Sequence, residues 1–113
     1  MKKDTKMHRN IDMYKAILTL ETVEECMSFF DDLCSVTELK AMEQRFEVAA
    51  LLNKGLIYND ILEKTGASSA TISRVYRSLQ YGASGYSTVL KRLEDGEASS
   101  DTEIEHDTEN CVK

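Results

Sequence analysis

Proline and tryptophan are absent from this 113-residue chain, cysteine occurs three times, and aromatic residues make up only 7% of it. Each scarcity excludes something. Without proline, helices are interrupted only where glycine or a capping side chain interrupts them. Cys26, Cys34 and Cys111 fall in no paired spacing, which suits neither a disulfide framework nor a zinc site. Residues 1–20 lack the apolar stretch and small-residue cleavage site of a secretory leader, so a reducing cytoplasm is the expected compartment. The longest unbroken apolar run, Val48 to Leu52, is far too short for a membrane span. What is present, 42% hydrophobic and 30% charged residues, is enough for one small core and too little for two.

A net charge of −6 argues, taken whole, against nucleic acid as a partner, because Lys and Arg neutralising phosphates supply most of that affinity. Its distribution reverses the inference. Residues 95–113 hold seven acids against the single Lys113 and account for the whole −6. Within the remainder, residues 11–53 carry nine acids against three bases, whereas residues 54–92 carry six bases against Asp60 and Glu63. The chain therefore divides into a basic arm (residues 1–10), a body (residues 11–94) that is acidic in its first half and positive in its second and that the arm brings to neutrality, and an acidic tail (residues 95–113). The tail has too few large apolar groups to offset its own ordering entropy and is expected to be disordered.

Apolar residues recur at three-and-four spacing throughout the body, which predicts an all-α fold of about six helices. Tyr14, Ile17 and Leu18 mark the first. Thr22-Val-Glu-Glu25 is a capping box for the second, whose stripe of Val23, Cys26, Met27, Phe30 and Leu33 is expected to be buried. A second capping box, Ser35-Val-Thr-Glu38, opens the longest helix, with Leu39, Met42, Phe46, Ala49 and Ala50 on one side. From Val48 to Leu52 that helix is apolar all round and must be enclosed. So short a chain has little of its own to enclose it with, and a partner subunit is the economical cover. Gly55 ends the helix, Gly82 and Gly85 bracket a later break, and Tyr86, Val89, Leu90 and Leu93 mark the last helix.

Residues 57–79, IYNDILEKTGASSATISRVYRSL, have helix-turn-helix spacing: apolar Ile57, Ile61, Leu62, Ile72, Val75 and Leu79 flank a Thr65-Gly66-Ala67 turn. Gly66 permits the left-handed backbone of a tight turn, and Ser68 can cap the second helix. The opposite face of that helix is Ser69, Ala70, Ser73 and Arg77. Small residues allow close approach to a major groove, hydroxyls reach base edges or phosphates, and Arg77 adds a cation one turn on. Lys64 and Ser68 are placed to help hold phosphates. An ordinary helix pair joined by a glycine turn would show the same core spacing; the small polar face and the local positive charge favour double-stranded DNA.

Residues 22–93 resemble the Trp-repressor-like superfamily, and more closely the Trp-repressor-related YerC/YecD family, through FFDDLCS (Phe29–Ser35), QRFEVAALL (Gln44–Leu52) and TGASSATISRVYRSLQYG (Thr65–Gly82). The resemblance implies an intertwined all-α homodimer with two projecting helix-turn-helix units, acting as a bacterial transcription repressor on a two-fold symmetric operator. It also implies a ligand pocket: Arg45 and Arg74 match the arginines that sandwich a corepressor, and Thr71 matches a pocket threonine. Val75 stands where Trp repressors have a ligand-facing glycine and fills volume an indole needs, so the pattern disfavours tryptophan while remaining compatible with another small-molecule corepressor. Arg45 equally suits an ion pair with neighbouring acids, and Arg74 a phosphate.

Nothing else in the chain suggests chemistry. Cys26 and Cys34 lie about 80° apart around a helix axis without further ligands, which suits packing and not a metal. His8 and His106 sit near opposite ends with no partner for a catalytic pair, and no phosphate-binding glycine loop occurs. The sequence thus reads as a cytoplasmic, non-enzymatic DNA-binding regulator without cofactor or metal. The competing reading is a helical dimerisation or protein-docking module, favoured by Asn59, Asp60 and Glu63 where Trp repressors place basic residues. If the acidic tail competes with phosphate for the basic face, removing residues 95–113 raises non-specific DNA affinity at low salt in a titration with unrelated duplexes; unchanged affinity rejects the idea.

Overall fold

The computed structural model describes residues 9–99, and these form six helices and no strand: α1 (Ile11–Ile17), α2 (Val23–Leu33), α3 (Val36–Asn53), α4 (Tyr58–Thr65), α5 (Ser69–Tyr81) and α6 (Gly85–Ser99). None of these helices is long and apolar enough to cross a membrane. Most of the basic arm, the tail beyond Ser99, and with them His8, His106 and Cys111, lie outside the described residues. The chain divides into two units at Lys40, within α3.

Local capping chemistry sets the helix starts in the first unit. Asn10 accepts the Met13 N–H at 3.1 Å and opens α1. Thr22 caps α2 by accepting the Glu25 N–H at 3.0 Å, while the Glu25 carboxylate reaches the Glu21 N–H at 2.8 Å, one residue further back than in a reciprocal capping box. The Ser35–Glu38 pair is fully reciprocal, with the Glu38 N–H donating to Ser35 Oγ at 3.1 Å and the Ser35 N–H donating to the Glu38 carboxylate at 2.8 Å. The Ser35 backbone N–H, and after it the Ser35 hydroxyl, hold the Glu38 carboxyl below its ordinary range.

The apolar stripe of α2 is present but uncovered. No residue of α1 or α2 is buried. Val23, Met27 and Leu33 are exposed, as is Cys26, and Phe29 and Phe30 are half-buried, their rings meeting edge to face 5.5 Å apart. This corrects the expectation of a buried stripe. Periodicity identifies which face is apolar, whereas covering it requires a second surface that the first unit does not supply.

The second unit holds the core, made of Val48 and Ala49 from α3, Ile61 from α4, Ala67 from the turn, Ile72 and Val75 from α5, and Leu90 from α6. Ala50, Leu51 and Leu52 pack half-buried against it, so the stretch of α3 that is apolar all round is also the stretch that is enclosed. The helix ends after Asn53 in a Schellman arrangement: Leu56 N–H donates to the Leu51 carbonyl at 3.2 Å and Gly55 N–H to that of Leu52 at 3.0 Å, with Gly55 at φ +90°. Asn53 Nδ2 donates to the Glu94 carboxylate at 3.0 Å and ties that end to α6.

Several expected core positions are exposed instead: Ile57 and Leu62 around α4, Met42 and Phe46 on α3, and Val89 and Leu93 on α6. The last helix also continues past Glu94, where the sequence places the start of the tail, and runs to Ser99; a truncation that spares α6 therefore begins at residue 100. Burial ranks the aliphatic side chains of the helix pair. Ile61 is 0% exposed and Ile57 63%. Ile61→Ala is expected to cost about 2–5 kcal/mol, and Ile57→Ala no more than about 0.5 kcal/mol, in chemical denaturation. Equal costs would contradict this assignment of the core.

Candidate nucleic-acid interface

Helices α4 and α5 are joined by the three residues Gly66, Ala67 and Ser68. Gly66 ends α4 at φ +72°, and its N–H donates to the Leu62 carbonyl at 2.9 Å. Thr65 locks the turn from the helix side: its hydroxyl donates to the Ile61 carbonyl at 2.8 Å and accepts the Ala67 N–H at 3.0 Å. Gln44 on α3 donates its side-chain amide to the Thr65 carbonyl at 3.2 Å, fastening the turn to the long helix. Ala67, 1% exposed, enters the core, where only a small side chain suits so tight a corner. Neither Gln44 nor Ala67 stands out in the sequence, because the one signals nothing without its partner and the other looks like any turn residue.

Ser68 then caps α5, accepting the Thr71 N–H at 3.1 Å while its hydroxyl also contacts Thr71 Oγ1 at 3.1 Å. Its side chain is thus occupied in starting the helix. Along α5, Ile72 and Val75 are buried and Leu79 half-buried, which turns Ser69, Ala70, Ser73 and Arg77 outward; all four are exposed, as is Lys64 in the last turn of α4. The helix pair carries Asn59, Asp60 and Glu63 exposed on α4 as well.

The residues matched to a corepressor pocket are less uniform. Arg45 and Thr71 are half-buried, Arg74 is exposed, and Val75 is 1% exposed within the core. None of them lines either of two clefts formed by described residues of the second unit. One, of about 480 Å³, is bounded by Phe46, Ala83, Gly85, Tyr86 and Val89. The other, of about 540 Å³, lies along α5 and is bounded by Leu52, Tyr58, Ile72 and Ser73 together with Tyr76, Arg77 and Tyr81. Its tyrosines escape a reading by periodicity, although three of the chain's five tyrosines falling between residues 58 and 81 is a signal that composition carries.

Gly66 provides a test of the turn. A Cβ there meets nothing within 4 Å, so only the left-handed backbone opposes a side chain. Gly66→Ala is expected to destabilise by about 1–2 kcal/mol in thermal or urea unfolding, and Gly66→Asn by less, since asparagine tolerates that conformation. An alanine variant as stable as the parent would mean that the turn does not hold this backbone.

The chain matches the family model described as Trp repressor protein over residues 10–94. It is 47% identical over 88 residues to the uncharacterized protein YerC of Bacillus subtilis (strain 168), an alignment covering 78% of this chain and 85% of that protein. Among solved structures, a candidate Trp repressor from Staphylococcus aureus superposes with a TM-score of 0.74 at 46% identity, covering 80% of this chain and 93% of that one. A Trp-repressor-like protein from Eubacterium eligens gives the same TM-score of 0.74 at 47% identity, over 80% and 95% of the two chains. With its six helices, its turn between α4 and α5, and a family match over most of its length, this chain belongs to the Trp repressor family.

Proposed function

We propose that the protein is a sequence-specific DNA-binding transcription regulator, a repressor acting as a homodimer through the helix-turn-helix formed by α4 and α5, and that it catalyses no reaction. The observation that carries this reading is the outward face of α5. Ser69, Ala70, Ser73 and Arg77 are all exposed on a helix whose other side is anchored by Ile72 and Val75, within a regulator family fold. Small side chains at the start of such a helix let its backbone approach base edges, and Arg77 suits guanine or phosphate. Lys64 is free to approach phosphate. Ser68 offers the backbone at the start of α5 more than its hydroxyl, which caps the helix.

Homodimerisation is supported by the apolar surface left open. Val23, Met27 and Leu33 on α2, Met42 and Phe46 on α3, and Val89 and Leu93 on α6 are too many large exposed side chains for a water-facing surface, and a second copy is the cover the family fold suggests. Arg45, Thr71 and Arg74 remain the positions at which a corepressor other than tryptophan would be sought. One observation favours the docking-module reading instead: Asp60 and Glu63 are exposed on α4, where they oppose a phosphate backbone.

Selection of bound duplexes from a random pool distinguishes the two. A dimeric DNA reader enriches a palindrome, and its affinity falls by about 10³–10⁵ between 50 and 200 mM salt if six to ten phosphates are neutralised. Arg77→Ala is expected to weaken the selected site by tenfold or more. No enrichment together with salt-independent behaviour supports docking, and an intact Arg77→Ala complex rejects this recognition face.

A further inference from the structure

We infer that the tyrosine-lined cleft beside α5 is a binding site for a small planar aromatic anion, and that its occupant competes with DNA for Arg77 and Ser73. The cleft measures about 540 Å³, within the size range of small-molecule sites. Buried Ile72 gives it an apolar floor, and three tyrosines that are themselves exposed, Tyr58, Tyr76 and Tyr81, line its open side. Aromatic rings of that number offer stacking and edge-to-face contacts to a flat ligand and hydroxyls to its polar edge.

Charge selects among flat ligands. Arg77 is the cleft's one ionic side chain and no carboxylate lines it, so a cation is repelled and a carboxylate or phosphate monoester finds a guanidinium fork. The other cleft, around Phe46 and Tyr86, has no charged lining residue and sits among exposed apolar side chains, which is the composition of a surface covered by protein. Bases of an intact duplex stay stacked and do not fill a cavity lined by a buried isoleucine, so the occupant is a free small molecule. A ligand seated on Arg77 and Ser73 takes two of the side chains that read DNA. The competition rests on the DNA-binding reading; the binding site does not.

The test uses the full chain labelled with ¹⁵N and titrated with 2-naphthoate, 2-naphthamide and decalin-2-carboxylate, which separate the ring from the charge. The site requires 2-naphthoate to bind with a Kd below about 1 mM, at least tenfold tighter than either analogue, with shifts centred on Tyr58, Tyr76 and Arg77. Arg77→Gln should lose tenfold for 2-naphthoate and nothing for 2-naphthamide, while Tyr81→Ala, on an exposed residue at the end of α5, weakens both; helix content by circular dichroism shows that each variant is folded. Equal affinities for the three compounds, shifts centred on Phe46 and Tyr86, or an indifferent Arg77→Gln would overturn the site. On a selected duplex, 2-naphthoate at ten times its Kd should weaken DNA binding about tenfold. Binding without that loss overturns the competition alone, and failure to select any duplex is a failure of the DNA reading that leaves the cleft judged by its own titration.

Discussion

Burial of Ile61 in the angle between α4 and α5 is the constraint on which the outward-facing chemistry depends. Ile61, Ala67, Ile72 and Val75 are all within 3% of complete burial and come from the two helices and the turn that joins them. Once Ile72 and Val75 point inward, a repeat of 3.6 residues leaves no freedom in where Ser69, Ser73 and Arg77 point. The left-handed Gly66, the Thr65 hydroxyl and the Gln44 amide then fix the angle at which the second helix leaves the first. The outward face is therefore a consequence of core packing, and a loss of packing at the turn would be felt as a loss of aim.

Electrostatics refines this geometry without setting it. The net −6 resides beyond Glu94, and the segment from Lys54 to Arg92 is positive by four, so the segment that contains α4 and α5 differs in sign from the molecule as a whole. At physiological salt the screening length is about 8 Å, which makes the local balance the relevant one for contacts at the α5 face. Within that balance Asp60 and Glu63 weigh against Lys64, and Arg77 is left as the cation on the face itself. In the DNA-binding reading, a face with so few positive groups leans on shape and on hydrogen bonds from serine more than on bulk attraction.

Helix boundaries were legible in the sequence wherever they are set by chemistry within four residues. The Thr22 and Ser35 caps, the Ser68 cap and the glycine stops at Gly55 and Gly66 are all such cases, and each is in place. Burial was legible only where the chain supplies both surfaces. Ile61, Ile72 and Val75 meet partners in their own unit, whereas the equally regular stripe of α2 meets none there. The end of α6 differs for another reason: Gly96 and the acids around it suggest a break, but a glycine within a helix costs only about 1 kcal/mol and does not by itself end one. The concentration of tyrosines between residues 58 and 81 is visible in the sequence, but the cleft they line is not, because Tyr58 and Tyr76 sit on different helices.

The uncovered stripe bears on how the homodimer reading connects to stability. A unit whose two short helices contain no buried residue gains little from hydrophobic burial of its own, while ordering each of its residues costs about 1–2 kcal/mol of backbone entropy. The N-caps at Thr22 and Ser35 each contribute about 1 kcal/mol, too little to close that gap. In the homodimer reading the remainder comes from a second copy that covers Val23, Met27 and Leu33. In that reading, folding of the first unit and association of two chains are one equilibrium, in which stability depends on protein concentration.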